Sequence, residues 1–235
     1  MKKTIFTARV LIAAALVATS AARADTPPPQ NVLQLTASGT VEVAQDLLSL
    51  YLSTTRDGGD AAGVQSQLKS ALDAALTEAR KTAEPGQMDV RTGTFSVYPR
   101  YSAPGKITGW RGTAELVLEG RDFARITQAA ARVTTMTIGN VGFGLSREQR
   151  AKVETDAQST AIERFKTKAA ELARGFGFSG YTLREVSVVA NDIGPVPRMR
   201  MTAPAAASMS ESSPVPVEAG KASVTVTVSG SVQLR

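Results

Sequence analysis

Met199 and Met201, with Met209 nearby, gather thioethers, which are soft ligands suited to Cu(I) and are readily oxidised. A copper site or an oxidant sink is the chemistry this grouping allows. Arg198 and Arg200 flank it with positive charge that opposes a cation, and methionine also fills adaptable contact surfaces. Carboxylates are the second resource, because glycosidase-like chemistry needs only two. Glu148, Glu154, Asp156, Glu163 and Glu171 alternate with Arg147, Lys152, Arg164, Lys166 and Lys168, the pattern of a solvated helix face. Asp89, Glu115, Glu119 and Glu185 fall in or beside strand-like segments, and nothing in their spacing brings two together. A Ser-Lys dyad also stays open without any residue pair to point at it.

A third grouping suits contact better than reaction. Tyr98, Arg100, Tyr101, Trp110 and Arg111 surround one turn and have the composition of an interaction hot spot. Packing of the aromatics within or at the edge of a sheet is the competing explanation. Gly175-Phe176-Gly177-Phe178-Ser179-Gly180 has dinucleotide-fingerprint spacing, but that chemistry requires a strand before it and a helix after it. Here the order is reversed, so the glycines read as a helix C-cap. Gly139 to Gly144 likewise reads as a bulged strand end rather than a phosphate loop.

Missing residue types narrow the chemistry further. The chain has no His and no Cys. Without imidazole the usual general base near neutral pH is lost, and Ser-His-Asp and zinc hydrolysis go with it. Without thiols there is no cysteine nucleophile and no disulfide. A non-enzymatic protein with neither cofactor nor metal is the expectation.

The elements that must position these groups form an α+β pattern. Leu33, Leu35, Ala37, Val41 and Val43 suggest a strand bulged at Gly39, and Ala44-Gln45-Asp46 suits a hairpin into a second strand through Leu48, Leu50, Leu52 and Thr54. Asp60 can cap a helix carrying Val64, Leu68, Leu72, Ala75 and Ala79, which Pro85-Gly86 stops. Strands over 90–98 and 107–118 follow, then a short helix capped by Asp122 and a strand near 134–145. Ser146 with Gln149 makes a capping box for a long helix whose stripe is Val153, Ala157, Ala161, Phe165, Ala169, Leu172 and Phe176. A strand over 181–190, a linker-like loop over 191–218 and a final Val/Thr strand complete the order ββαββαβαββ. The final strand must return to pair with an earlier one. This predicts antiparallel-rich sheets with three helices on their faces, in one domain over 33–235 or two subdomains breaking near 120–135.

The N-terminus has a Sec signal layout: Lys2, Lys3 and Arg9, an apolar run from Val10 to Ala18, and Ala22 and Ala24 at the signal-peptidase specificity positions. Residues 1–24 are expected to be removed, with a second cleavage frame at Ser20-Ala21-Ala22. A Pro-rich leader over 25–32 would then open the mature chain. The apolar run is far short of the roughly 20 residues a bilayer span needs. With aromatics at 5% and helical patterns between the strands, an outer-membrane barrel is not indicated. The expected address is the periplasm, with outer-membrane association open. The formal charge of +6, less the +4 of Lys2, Lys3, Arg9 and Arg23, leaves about +2 without a clustered basic face, so no nucleic-acid partner is expected.

Several local signatures stand in order along the chain: Thr36-Ala37-Ser38-Gly39-Thr40-Val41, Val90-Arg91-Thr92 running to Phe95-Ser96-Val97-Tyr98-Pro99-Arg100-Tyr101, and Ile107-Thr108-Gly109-Trp110-Arg111 leading into Leu116-Val117-Leu118. Val141-Gly142-Phe143-Gly144-Leu145-Ser146 and Glu218-Ala219-Gly220-Lys221 follow. Together they resemble the SIMPL-domain family of bacterial periplasmic and outer-membrane-associated proteins. Gln45-Asp46 departs from the Pro-Asp pair that members tend to have before the second strand. The resemblance implies an envelope protein linked to oxidative-stress tolerance, with homo-oligomeric assembly in some members, envelope or outer-membrane partners, and no established catalytic residues.

Overall fold

The structure, a computed structural model, describes residues 30–103, 105–191 and 215–235. The elements are β1 (Val32–Ala44), β2 (Leu47–Gly58), α1 (Ala61–Arg80), β3 (Asp89–Tyr101), β4 (Ile107–Gly120), α2 (Phe123–Arg132), β5 (Thr137–Gly144), α3 (Arg147–Gly175), β6 (Tyr181–Asn191) and β7 (Lys221–Leu234). This is the expected α+β order. The strands form two antiparallel sheets, a four-stranded one ordered β3-β4-β2-β5 and a three-stranded one ordered β1-β7-β6.

Alternation builds the four-stranded layer. Leu48, Leu50 and Leu52 of β2 and Ala114, Leu116 and Leu118 of β4 point to one face and are fully buried. Val64, Leu68, Leu72, Ala75 and Ala79 of α1 and Ile126, Ala129 and Ala130 of α2 close over them. Each fully buried leucine contributes roughly 1.5–3 kcal/mol. Asp60 and Asp122 cap the two helices as expected, accepting from the backbone N–H of Gly63 and Arg125.

The three-stranded layer rests on small residues. Ala157, Ala161, Ala169 and Ala173 of α3 are buried with Phe165 against Leu35 of β1 and Val226, Val228 and Val232 of β7. The returning C-terminal strand pairs with β1 from Val32–Gln233 to Ala44–Lys221 without a register shift. The bulge expected at Gly39 is therefore absent. A Cβ at Gly39 would lie 2.1 Å from the Ala157 carbonyl oxygen, so the glycine admits the α3 backbone. The helix stripe also ends differently: Phe176 follows the last helical residue and is 63% exposed, while Ala173 and Phe178 take the inner positions.

The expected β1–β2 hairpin is overturned, because the two strands lie in different sheets. Ala44-Gln45-Asp46 is a crossover between layers, and the chain crosses back at Leu145-Ser146. A side-chain clamp joins the crossings. Asp46 Oδ1 accepts from Ser146 N at 2.7 Å and Oδ2 from Ser146 Oγ at 2.6 Å, while Gln45 Nε2 donates to the Phe143 carbonyl at 3.2 Å. Ser146 caps α3 through Gln149 N, but Asp46 supplies the other half of the capping box. α2 (Phe123–Arg132), between β4 and β5, packs Ile126, Ala129 and Ala130 into the core of the four-stranded layer.

Candidate interaction surface

The β3–β4 ribbon positions the aromatic and arginine cluster, and the pleat divides it. Tyr98 and Arg111 are cross-strand partners on the face of the four-stranded sheet opposite the helices. Pro99 and Trp110 are partners on the helix side, where Trp110 is half-buried against the main core. Tyr98, Arg100 and Arg111 are thus brought together, and Trp110 is not with them. At the ribbon end Tyr101 pairs with Ile107, and both are exposed, Tyr101 at 62%.

Asp57 of β2 organises the arginines. Arg111 donates through Nε to Asp57 Oδ1 at 2.8 Å and through Nη2 to Oδ2 at 3.0 Å, and Arg100 Nη1 reaches Oδ1 at 3.5 Å. The hydrogen bond from Arg111 holds the Asp57 carboxyl below the usual carboxylate range, against a smaller opposing effect of desolvation, and the same bond raises the Arg111 guanidinium. This fixed fork leaves one guanidinium charge in excess beside Tyr98. Sequence spacing missed Asp57; its place three residues beyond Thr54, the last alternating position of β2, and so on the face opposite the leucines, was the available signal.

The strand carboxylates are placed separately. Asp89 and Glu119 are cross-strand partners, and Glu119 Oε2 accepts from Ser49 Oγ at 2.7 Å and from Arg91 Nη2 at 3.5 Å. Glu115 Oε2 accepts from the Thr94 backbone at 3.2 Å, and Glu185 lies in the other sheet. Lys81 bonds Glu78, and Lys168 donates to the Thr36 carbonyl. Among the described residues no group of three or more Asp or Glu is arranged to hold a metal ion. Met199, Met201 and Met209, and the cleavage-site residues Ala22 and Ala24, lie outside the described residues. No described helix is long and apolar enough to cross a membrane.

A second exposed group was not legible from alternation. Leu183, Val186, Val188 and Val189 of β6 all stand out to solvent, Leu183 at 54%. α3 lies over β1 and β7 and barely reaches β6.

These features define a two-sheet α+β domain with helices on one face of each sheet. The chain belongs to the SIMPL family, described as a protein of unknown function (DUF541), which matches residues 33–232. No curated protein matches it. Among solved structures, the complexes of AtUAH with glyoxylate and with (S)-hydroxyglycine share 14% and 15% identity. They cover 56% and 55% of this chain, which spans 34% of each of theirs, at a TM-score of 0.28 that supports no functional argument.

Proposed function

We propose that this SIMPL-family protein is exported to the periplasm and works without catalysis, by assembly or binding that supports envelope tolerance of oxidative stress. The observation that carries this reading is the grouping of exposed large apolar side chains. Leu183, Val186 and Val188 share one face of β6, and Tyr101 and Ile107 are exposed cross-strand partners at the end of the β3–β4 ribbon. Single exposed apolar residues are ordinary, whereas contiguous sets mark contact surfaces. The engaged Glu115 and Glu119 and the absence of His fit a contact protein better than an acid–base catalyst.

Full-length protein, purified as the producing cell processes it, tests the reading by light scattering coupled to size exclusion. A discrete oligomer from a periplasmic fraction, with its N-terminus at Asp25, is the expected result. A monomer that captures no envelope component by cross-linking in intact cells overturns it. A deletion strain should lose peroxide tolerance and regain it on complementation.

A further inference from the structure

We propose that β6 is the self-recognition edge of this protein, pairing antiparallel with β6 of a second copy so that Arg184 faces Glu185 of the partner. The inference rests on the assembly reading and names its interface. Among the described residues, the other three sheet edges carry features that resist strand addition. On β1 the Ser38 and Thr36 carbonyls accept from Arg164 Nη1 at 2.8 Å and from Lys168 Nζ at 3.2 Å of α3. β3 shifts register between Thr92 and Phe95 and contains Pro99, which has no N–H to donate. β5 is only 8 residues long and is irregular where it passes Tyr51 and Leu52.

β6 is different. It is 11 residues long, and Thr182 through Ala190 are all exposed. Its register against β7 shifts between Leu183 and Glu185, which sets Leu183, Val186 and Val188 on the α3 side, opposite Val232, Gly230 and Val228. Arg184 and Glu185 lie toward the polar side, where Arg184 Nη1 donates to Gln233 Oε1 at 3.1 Å and Glu185 pairs with Ser231. The charges and the shift would oppose a generic strand. They suit a second β6 related by a two-fold axis between Arg184 and Glu185.

That symmetry matches each residue to one on the same face. Arg184 meets Glu185 twice, Leu183 meets Val186 twice, Thr182 meets Ser187, and Tyr181 meets Val188. A two-fold interface must be self-complementary in this way, and opposite charges and apolar pairs directly across strands are both stabilising. The uncovered apolar row then becomes the continuation of the α3-side core across a six-stranded sheet.

A charge-swap cycle on the full-length protein, processed by the producing cell, tests this. Glu185→Arg and Arg184→Glu each put like charges opposite one another at two places. Each should weaken dimerisation by roughly tenfold or more in concentration-dependent light scattering. Arg184→Glu combined with Glu185→Arg should restore it, with circular dichroism unchanged. The double variant remains decisive if a single variant folds poorly, because it keeps both charges and must associate like the wild type. An oligomer indifferent to both single substitutions overturns the β6 interface while leaving assembly standing. A wild-type monomer overturns both, and slow hydrogen exchange of β6 amides in that monomer would place the cover within the chain.

Discussion

Gly39 of β1 lies so close to Ala157 of α3 that a single added carbon would stand 2.1 Å from the Ala157 carbonyl oxygen and 2.7 Å from the Ala161 amide nitrogen. Backbone atoms cannot yield as a flexible side chain can. The glycine of the Thr36–Val41 signature thus sets how deeply the long helix seats on its sheet. Gly39→Ala should push α3 outward and cost about 1–3 kcal/mol, the usual penalty for overpacking. Glu42→Ala, an exposed side chain on the same strand, should change stability by no more than about 0.5 kcal/mol. Thermal unfolding of the two variants checks the contrast, and equal losses would refute the close-approach account.

The Asp46–Ser146 clamp predicts a pH dependence. Burial of Asp46 raises its carboxyl pKa, but the side-chain and backbone hydrogen bonds from Ser146, with Arg121 nearby, outweigh that and leave it below its ordinary 3.8. A carboxyl depressed in the folded state binds fewer protons there than in the unfolded chain. Its stabilisation is therefore present above about pH 4 and is lost as pH falls through the lower folded value. Asp46→Asn should destabilise the neutral protein by about 1.5–3 kcal/mol, the range for a hydrogen bond to a charged group. Denaturant titrations from pH 7 to pH 2.5 should show wild type and variant converging at the acid end. A constant gap would mean that the carboxylate's charge is not what holds the crossings together.

How much of this was legible follows from what each signal measures. Period-two alternation in Leu48, Leu50 and Leu52 and helical spacing in Val64, Leu68 and Leu72 report burial within an element, and the structure buries all six as expected. Partnership between elements is not encoded in spacing. The short Ala44-Gln45-Asp46 link was compatible with a hairpin, and only the competing claim of β7 on β1 sends it across to the other sheet. Gly39 reads as a bulge in the sequence, because the helix backbone it admits lies more than a hundred residues downstream. The tip cluster was found as a composition, but the pleat, which the sequence does imply, had to be applied to separate Trp110 from Tyr98. β6 looked like any other strand because its exposure depends on where α3 stops covering the sheet.

The divided tip gives opposite expectations for its aromatics. Trp110 packs on the main core, so Trp110→Ala should lower stability, by about 1–3 kcal/mol for a half-buried large side chain. Tyr98→Ala and Tyr101→Ala remove exposed rings and should leave the unfolding midpoint unchanged. If the ribbon is a contact surface, the two tyrosine variants should lose partner cross-links in cells at wild-type abundance. Trp110→Ala should lose them only in proportion to folded protein. Tyrosine variants that retain every cross-link would remove the ribbon from the interaction surface.

Arg164 and Lys168 offer a last test, because their bonds leave the helix altogether. Both side chains reach from α3 to carbonyls on the outer edge of β1, at Ser38 and Thr36. A free strand edge is a template for another chain, and charged side chains over it are a common means of blocking addition. Arg164→Ala with Lys168→Ala should keep the buried stripe of Ala157, Ala161, Phe165 and Ala169 in place, since those residues lie on the inner face. Helical content should therefore be preserved. With the β1 carbonyls uncovered, association should become progressive with concentration instead of stopping at a discrete size. Light scattering across a concentration series reads this directly. A double variant that stays as well-defined in mass as the wild type would show that these cations neither guard the edge nor limit its growth.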